Sequence, residues 1–168
     1  TIANVCVPFG AISPFTSLPA GARLKEADLT DASTVYALAA EVKAKCGSVW
    51  CLVNNAGVVT GTPFMDTNDD RIVKTFEVNT FAHFWTCKAF LQDMLDANDG
   101  HLVSIASVAS FFAAPQMVDY AASKFAARGF AEGLRMELRK MGKDGITSTC
   151  ICPGHIKTDM FKGFSMNG

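Results

Sequence analysis

The chain has 168 residues, 49% of them hydrophobic, enough to bury one sizeable core, and a single domain is the expectation. Fifteen basic and sixteen acidic residues give a formal net charge of −1 with no run of like charges, which argues against a nucleic-acid or anionic membrane surface as partner. Cys6, Cys46, Cys51, Cys87, Cys150 and Cys152 include no CxxC pair, and His83, His101 and His155 show no ligand spacing. Neither a metal site nor a disulfide framework is expected, and buried, reduced thiols in an intracellular compartment fit better.

Thr1 to Ala22 contains no charged residue, but Pro8, Pro14 and Pro19 interrupt it and Gly10 and Gly21 loosen it. A spanning helix needs about 20 mostly apolar residues without such breakers, and a signal peptide would want a basic start. An irregular or extended segment is predicted over 1–22, followed by the organised part of the chain over 23–168.

Arg23–Ala27 is a strand candidate, and Asp28-Leu29-Thr30-Asp31 supplies a turn and a helix cap. Val35, Leu38, Ala39 and Val42 recur with helical period over Ala32 to Lys45, and Gly47 closes that helix. Ser48–Val53 is a compact apolar run of the kind that forms a buried parallel strand, ending at Asn54-Asn55-Ala56-Gly57. After a loop at Thr60 to Asp66, one long helix is predicted from about Asn68 to Ala97, broken by Asn98-Asp99-Gly100. His101–Ala106 is a second buried strand with Ser107 at its exit. A second long helix runs from Asp119 to about Met141, and Ile146–Cys152 is a third strand leading into Pro153-Gly154.

Strands alternating with helices of this length predict an α/β fold, a doubly wound parallel sheet with crossover helices. Ligands of such sheets gather beyond the carboxyl ends of the strands. That is where Asn54 and Asn55, Ser107, Gly154 and Thr158 fall.

Tyr120 and Lys124 stand four apart on a predicted helix and share one face. A phenol with a pKa near 10 is a poor base at neutral pH. An ammonium about 4 Å away would contribute roughly 4 kcal/mol at an effective dielectric near 20, or about 3 pKa units, bringing the phenol to where it exchanges protons both ways. A half-buried Tyr beside an exposed Lys gives the same pattern. Ser107, at a strand end, offers a hydroxyl to hold a substrate oxygen near Tyr120, or simply caps local backbone. Asn79 falls inside an otherwise apolar helix, so it is either at the surface or has a buried partner. Asn54 to Gly57 lets a flat ring approach the backbone, or is a plain turn. Pro153-Gly154 and Thr158 open a similar exit.

The order and spacing of Asn-Asn-Ala-Gly at 54–57, Asn79, Ser107, Tyr-x-x-x-Lys at 120–124 and Pro-Gly-x-x-x-Thr at 153–158 resemble the short-chain dehydrogenase/reductase family, over about four fifths of the chain from Asp28 to Phe161. The resemblance implies a Rossmann-like sheet and a nicotinamide cofactor, NAD or NADP. It implies Tyr120 as acid–base catalyst, Ser107 orienting the reacting oxygen, Lys124 also holding the nicotinamide ribose, and Asn79 anchoring a water that links Lys124 to solvent. Cofactor contacts are implied for Asp28 and Leu29 at the adenine, for Asn54, Ala56 and Gly57 at its ribose, and for Pro153, Gly154, Ile156 and Thr158 at the nicotinamide.

Ala82 to Thr86, Lys88 to Leu91, Asp119 to Ala126 and Lys157 to Phe161 further resemble the retinol dehydrogenase and 17-beta-hydroxysteroid dehydrogenase branch. That branch acts on lipid alcohols at the endoplasmic reticulum or the lipid droplet surface. The likeness implies a lipid alcohol or ketone as substrate, a homo-oligomer formed through the two long helices, and membrane association in a longer form. As it stands, the sequence suggests a cytoplasmic chain.

No Gly-x-x-x-Gly-x-Gly turn for the cofactor pyrophosphate is present in the sequence. In the 3-2-1-4-5-6 strand order, Arg23–Ala27 would be third and Ser48–Val53 fourth, with the first two strands and the last one missing. Ile2–Phe9 is the candidate to pair in their place. The expectation is a truncated family member, either still an oxidoreductase or catalytically silent and acting only through subunit association.

Overall fold

The structure, a computed structural model, describes residues 2–6 and 23–156. It contains five strands, β1 (Ile2–Cys6), β2 (Arg23–Ala27), β3 (Cys51–Asn54), β4 (Gly100–Ile105) and β5 (Ile146–Ile151). The α-helices among the described residues are α1 (Ala32–Cys46), α2 (Asp69–Phe76), α3 (Ala82–Ala97) and α4 (Val118–Lys140). Strands β3, β4 and β5 form a parallel sheet in that order, pairing Val53 with Val103 and Val103 with Thr149. Parallel neighbours need a crossover, and the segments containing α2–α3 and α4 supply the two required here.

The helix ends follow from local chemistry. The Asp31 carboxylate accepts from the Ser33 N–H at 2.9 Å and caps α1. Gly47, at φ 78°, ends it, returning its N–H to the Lys43 carbonyl at 3.0 Å. Asn68 caps α2 by accepting from the Asp70 N–H at 2.8 Å. At the turn into β5 the backbone runs so close to α3 that a Cβ on Gly145 would lie 1.8 Å from the Asn98 carbonyl oxygen.

Helices α3 and α4 pack on one face of the parallel sheet. Cys87 and Met94 from α3, Leu138 from α4, Leu102 from β4 and Ile146 from β5 form the main core. Each large apolar side chain buried there contributes roughly 1.5–3 kcal/mol. The opposite face is more open, and Val53 on β3 is 50% exposed. A second cluster gathers Ala27, Leu29, Val35 and Ala82, tying α1 to the start of α3.

The strand and helix boundaries fall within a few residues of the sequence expectation, with two differences. The single helix expected over Asn68 to Ala97 is interrupted by a π-helical turn, Glu77–Phe81, between α2 and α3. Such turns insert a residue into the helical ladder and cluster at functional sites. The second concerns β2. It pairs with β1 as the sequence suggested, but antiparallel and as a separate two-stranded sheet, Ile2 opposite Ala27 and Cys6 opposite Arg23. An antiparallel return needs no crossover helix, whereas joining the parallel sheet would. Ile2–Cys6 is thus a strand within the segment read as irregular.

The thiols also differ from expectation. Of the described cysteines only Cys87 is buried, while Cys46, Cys51 and Cys150 are exposed. Cys51 lies on an edge strand and Cys46 at a helix end, where little packs over them.

Candidate active site

Ser107 leaves the end of β4 with an extended backbone, φ −171°. Its Oγ accepts from the Ala109 N–H at 3.1 Å, and its carbonyl accepts from the Ser110 hydroxyl at 2.6 Å. These two bonds pin the short 3-10 turn Val108–Ser110 and leave the Ser107 hydroxyl aimed at Tyr120 on the first turn of α4. The two side chains hydrogen-bond, and Tyr120 is buried. Ser107 thus caps local backbone, one of its two expected roles, while its side chain also reaches the phenol.

Lys124 lies one turn further along α4, and it too is buried. Its Nζ sits 5.9 Å from the centre of the Tyr120 ring and donates to the Ile105 carbonyl at 3.0 Å. Burial pulls its pKa from the usual 10.5 to about 8, opposed by the charges of Cys150 and Cys152. Burial raises the Tyr120 phenol, and the Ser107 hydrogen bond works against that rise. This corrects the electrostatics expected from the sequence. The phenol is not brought towards neutrality here, because its own desolvation disfavours the phenolate.

Asn79 sits in the π-helical turn, fully buried. Its Oδ1 accepts from the Val58 N–H at 2.8 Å, and its Nδ2 donates to the Val58 carbonyl and the Ser123 hydroxyl, both at 2.9 Å. Ser123 in turn donates to the Tyr120 carbonyl at 2.7 Å. Asn79 therefore has the buried partners its position demanded, and its amide braces the loop after β3 against α4.

The sites expected to meet a cofactor are less uniform. The exposed Asp28 carboxylate accepts from the Thr30 N–H at 3.0 Å and hydroxyl at 2.8 Å, with Lys74 at 3.8 Å. The Thr30 backbone bond is the main cause of its lowered pKa. The Leu29 side chain belongs to the core, which leaves only its backbone for contact with a ligand. Asn54 points inward, its Oδ1 accepting from the Thr86 hydroxyl at 2.7 Å and its Nδ2 donating to the Cys87 sulfur at 3.5 Å, so it braces the turn. Ala56 packs on the α1 cluster and Gly57 is half-buried. The Pro153 carbonyl accepts from the Val108 N–H at 2.9 Å, which ties the β5 exit to the Ser107 turn. Gly154 and Ile156 are exposed, and Thr158 lies outside the described residues.

Three buried residues escaped the sequence reading. Asp119 accepts from the Thr60 hydroxyl at 2.7 Å and the Thr75 hydroxyl at 3.0 Å, locking the loop after β3 and α2 to the start of α4. An acidic residue in the first turn of a helix was its only signal. Ser123 had none beyond its place between Tyr120 and Lys124. His83, one turn past Asn79, is 1% exposed, and neither ring nitrogen has a hydrogen-bond partner among the described residues. Burial, with the charge of Lys124, lowers its pKa from 6.5 to about 4, so it is neutral at pH 7.

A buried Ser–Tyr–Lys constellation, braced by an asparagine, thus gathers beyond the strand ends of a parallel α/β sheet. The family model for short chain dehydrogenases matches residues 14–167. The chain belongs to the short-chain dehydrogenase family. It is 50% identical over 138 residues to short-chain dehydrogenase/reductase family 16C member 6 of Bos taurus, covering 82% of this chain and 44% of that protein. It is 45% identical over 140 residues to estradiol 17-beta-dehydrogenase 11 of Mus musculus, 83% of this chain and 47% of that one. Retinol dehydrogenase 10-B of Danio rerio is 46% identical over 136 residues, 81% of this chain and 40% of that protein. The chain thus spans less than half the length of these curated relatives.

Among solved structures, a gluconate 5-dehydrogenase from Burkholderia cenocepacia in complex with NADP and tartrate superposes with a TM-score of 0.74 at 28% identity, covering 80% of this chain and 52% of that one. A short-chain dehydrogenase from Streptomyces avermitilis gives 0.73 at 30% identity, with 80% and 49% covered. The Rossmann-like fold class expected from the sequence is that of these neighbours.

At the nicotinamide end the residues fit a bound dinucleotide. Lys124 carries three donors, and its one hydrogen bond given by the structure is to Ile105. Among the described residues, a Cβ at Gly154 would meet nothing within 4 Å, which leaves that backbone accessible to a flat ring. The pyrophosphate end has no glycine-rich turn in this sequence to serve it.

Proposed function

We propose that this chain carries the acid–base machinery of a nicotinamide-dependent oxidoreductase that interconverts a lipid-like alcohol, of retinol or steroid type, and its carbonyl. The observation that carries the reading is the hydrogen bond between buried Ser107 and Tyr120, with Lys124 buried one turn away. The names of the bovine, mouse and zebrafish relatives supply the substrate class. A bound NAD or NADP supplies the hydride acceptor or donor.

The protein's part is position and protons. Ser107 donates to the substrate oxygen and sets it beside the phenol. Tyr120 gives its proton to that oxygen in reduction and takes it back in oxidation. Its raised pKa makes the neutral phenol the resting form, suited to donation. Lys124, carrying a proton up to about pH 8, offers positive potential to the phenolate that forms and donors to the ribose. Asn79 and Ser123 hold α4 in register with the strand ends, and a water near Asn79 would connect Lys124 to solvent.

Association through α3 and α4 belongs to the same proposal, supported by Phe84 and Phe125 standing exposed on those helices. No helix among the described residues is long and apolar enough to cross a membrane. Location at the endoplasmic reticulum or a lipid droplet surface is proposed from the relatives' branch.

The test is turnover of all-trans-retinol and of a steroid alcohol with each nucleotide, followed by cofactor absorbance. Turnover abolished in Tyr120→Phe supports the enzyme. Turnover that survives in Tyr120→Phe refutes these roles. Turnover absent throughout favours a second reading, a chain that acts by association, which the exposed Val53 edge of the sheet also favours.

A further inference from the structure

Cys150 and Cys152 stand two apart at the end of β5, so both thiols leave the chain on one face. The β4–β5 register places Cys150 opposite buried Ser104, on the α4 side of the sheet. A groove of about 220 Å³ runs there, lined by both cysteines, Phe111, and Arg128 and Arg135 of α4.

The two sulfurs lie 4.0 Å apart. A disulfide would need them to close to about 2.05 Å. A one-atom bridge needs almost no movement: with bonds of about 2.3 Å, as thiolates make to zinc, sulfurs at this separation subtend about 120°. No third His, Cys, Asp or Glu joins them in a metal-binding group among the described residues, which disfavours an ion that demands four protein ligands. Desolvation and the neighbouring Cys152 hold the Cys150 thiol protonated, and the Arg128 guanidinium, stacked 4.3 Å over Phe111 beside the groove, and Lys124 offset this in part; Glu132 also lines the groove.

We propose that Cys150 and Cys152 form a dithiol site for a soft, thiophilic metal or metalloid atom of low coordination number, and that its occupancy is felt at Ser107. The connection is direct. The Cys152 sulfur lies 3.6 Å from the Ser110 hydroxyl, which donates to the Ser107 carbonyl. On either side of Cys152, the Ile151 carbonyl accepts from the Ala106 N–H at 2.8 Å and the Pro153 carbonyl from the Val108 N–H at 2.9 Å. Tying the sulfurs together without moving them therefore stiffens the strand end whose carbonyls hold the residues that flank Ser107.

The probe is phenylarsine oxide. Two S–H bonds break and two As–S bonds form; the oxide oxygen leaves as water with both thiol protons, and arsenic stays trivalent. Burial holds the Cys150 thiol up at about 11, which slows single-thiol alkylation at pH 7 but not chelation by the pair.

Added to the 168-residue chain, the probe should give an adduct by intact mass that survives excess 2-mercaptoethanol and is removed by 1,2-ethanedithiol. Cys150→Ala and Cys152→Ala should each lose it, and Cys46→Ala should keep it. In the unsubstituted protein, peptide mapping after alkylation should find both Cys150 and Cys152 blocked, which tests the site without relying on a variant's folding. An adduct retained in either single variant, stripped by 2-mercaptoethanol, or mapped to other cysteines overturns the site. Hydrogen exchange at the Ala106 and Val108 amides should slow about tenfold or more on binding; unchanged or faster exchange there overturns the link to Ser107. None of these readouts depends on turnover.

Discussion

Between α4 and the π-helical turn, Asn79 is fully buried and makes three hydrogen bonds. Across the sheet at β3, Val53 is half exposed and Cys51 is open to solvent. The first region holds the candidate proton-handling groups, and apart from His83 its buried polar side chains are matched to partners within the chain. The second faces the side from which the family's nucleotide-binding strands would approach, and it keeps apolar surface uncovered. The candidate proton-handling cluster is built from contacts α4 makes with its own neighbours, whereas β3 has few neighbours on its outer side among the described residues.

Four measurements can break or sharpen that contrast. The largest effect is expected at Tyr120: removing its hydroxyl in Tyr120→Phe should cut turnover by about 10²–10⁴-fold with little change in melting temperature, measured by steady-state kinetics and thermal unfolding. A smaller loss would detach the buried cluster from the chemistry.

His83 comes next, as the buried polar side chain in this region that lacks a partner among the described residues. Its folded pKa, about 4, lies below the unfolded 6.5. The associated stability is complete above pH 6.5 and is lost as pH falls towards 4, in all roughly 3 kcal/mol. Urea midpoints taken across this range should fall less steeply in His83→Leu than in the natural sequence. Equal slopes would remove His83 from the acid response.

Asn79→Ala leaves the Val58 N–H without its side-chain acceptor and the Ser123 hydroxyl without its donor. It should cost about 2 kcal/mol in urea unfolding. The smallest effect belongs to the open edge, where Val53→Thr should shift stability by no more than about 0.5 kcal/mol. A loss there as large as that at Asn79 would mean that something covers β3.

Much of this was legible from local pattern. The α1 cap at Asp31, the closing Gly47, the apolar β4 run and the four-residue spacing of Tyr120 and Lys124 are statements about neighbours in sequence, and all lie where the pattern put them. The π-helical turn was not legible. Glu77–Phe81 reads as continuous helix, and only the bonds from Asn79 to Val58 and Ser123 reward the extra residue. The direction of Asn54 was equally hidden, since its partners Thr86 and Cys87 are more than thirty residues away.

By itself the sequence determined the order of strands and helices and the strand ends at which polar residues collect, and it singled out the side chains proposed to carry protons. Each of these depends on periodicity, capping or spacing within a few residues. Tertiary structure alone decided the charge state those side chains hold. Whether Lys124 lowers the phenol or is itself lowered depends on how deeply α4 sinks against Ile105. Desolvation is set by everything that surrounds a group, and a linear sequence carries no measure of that.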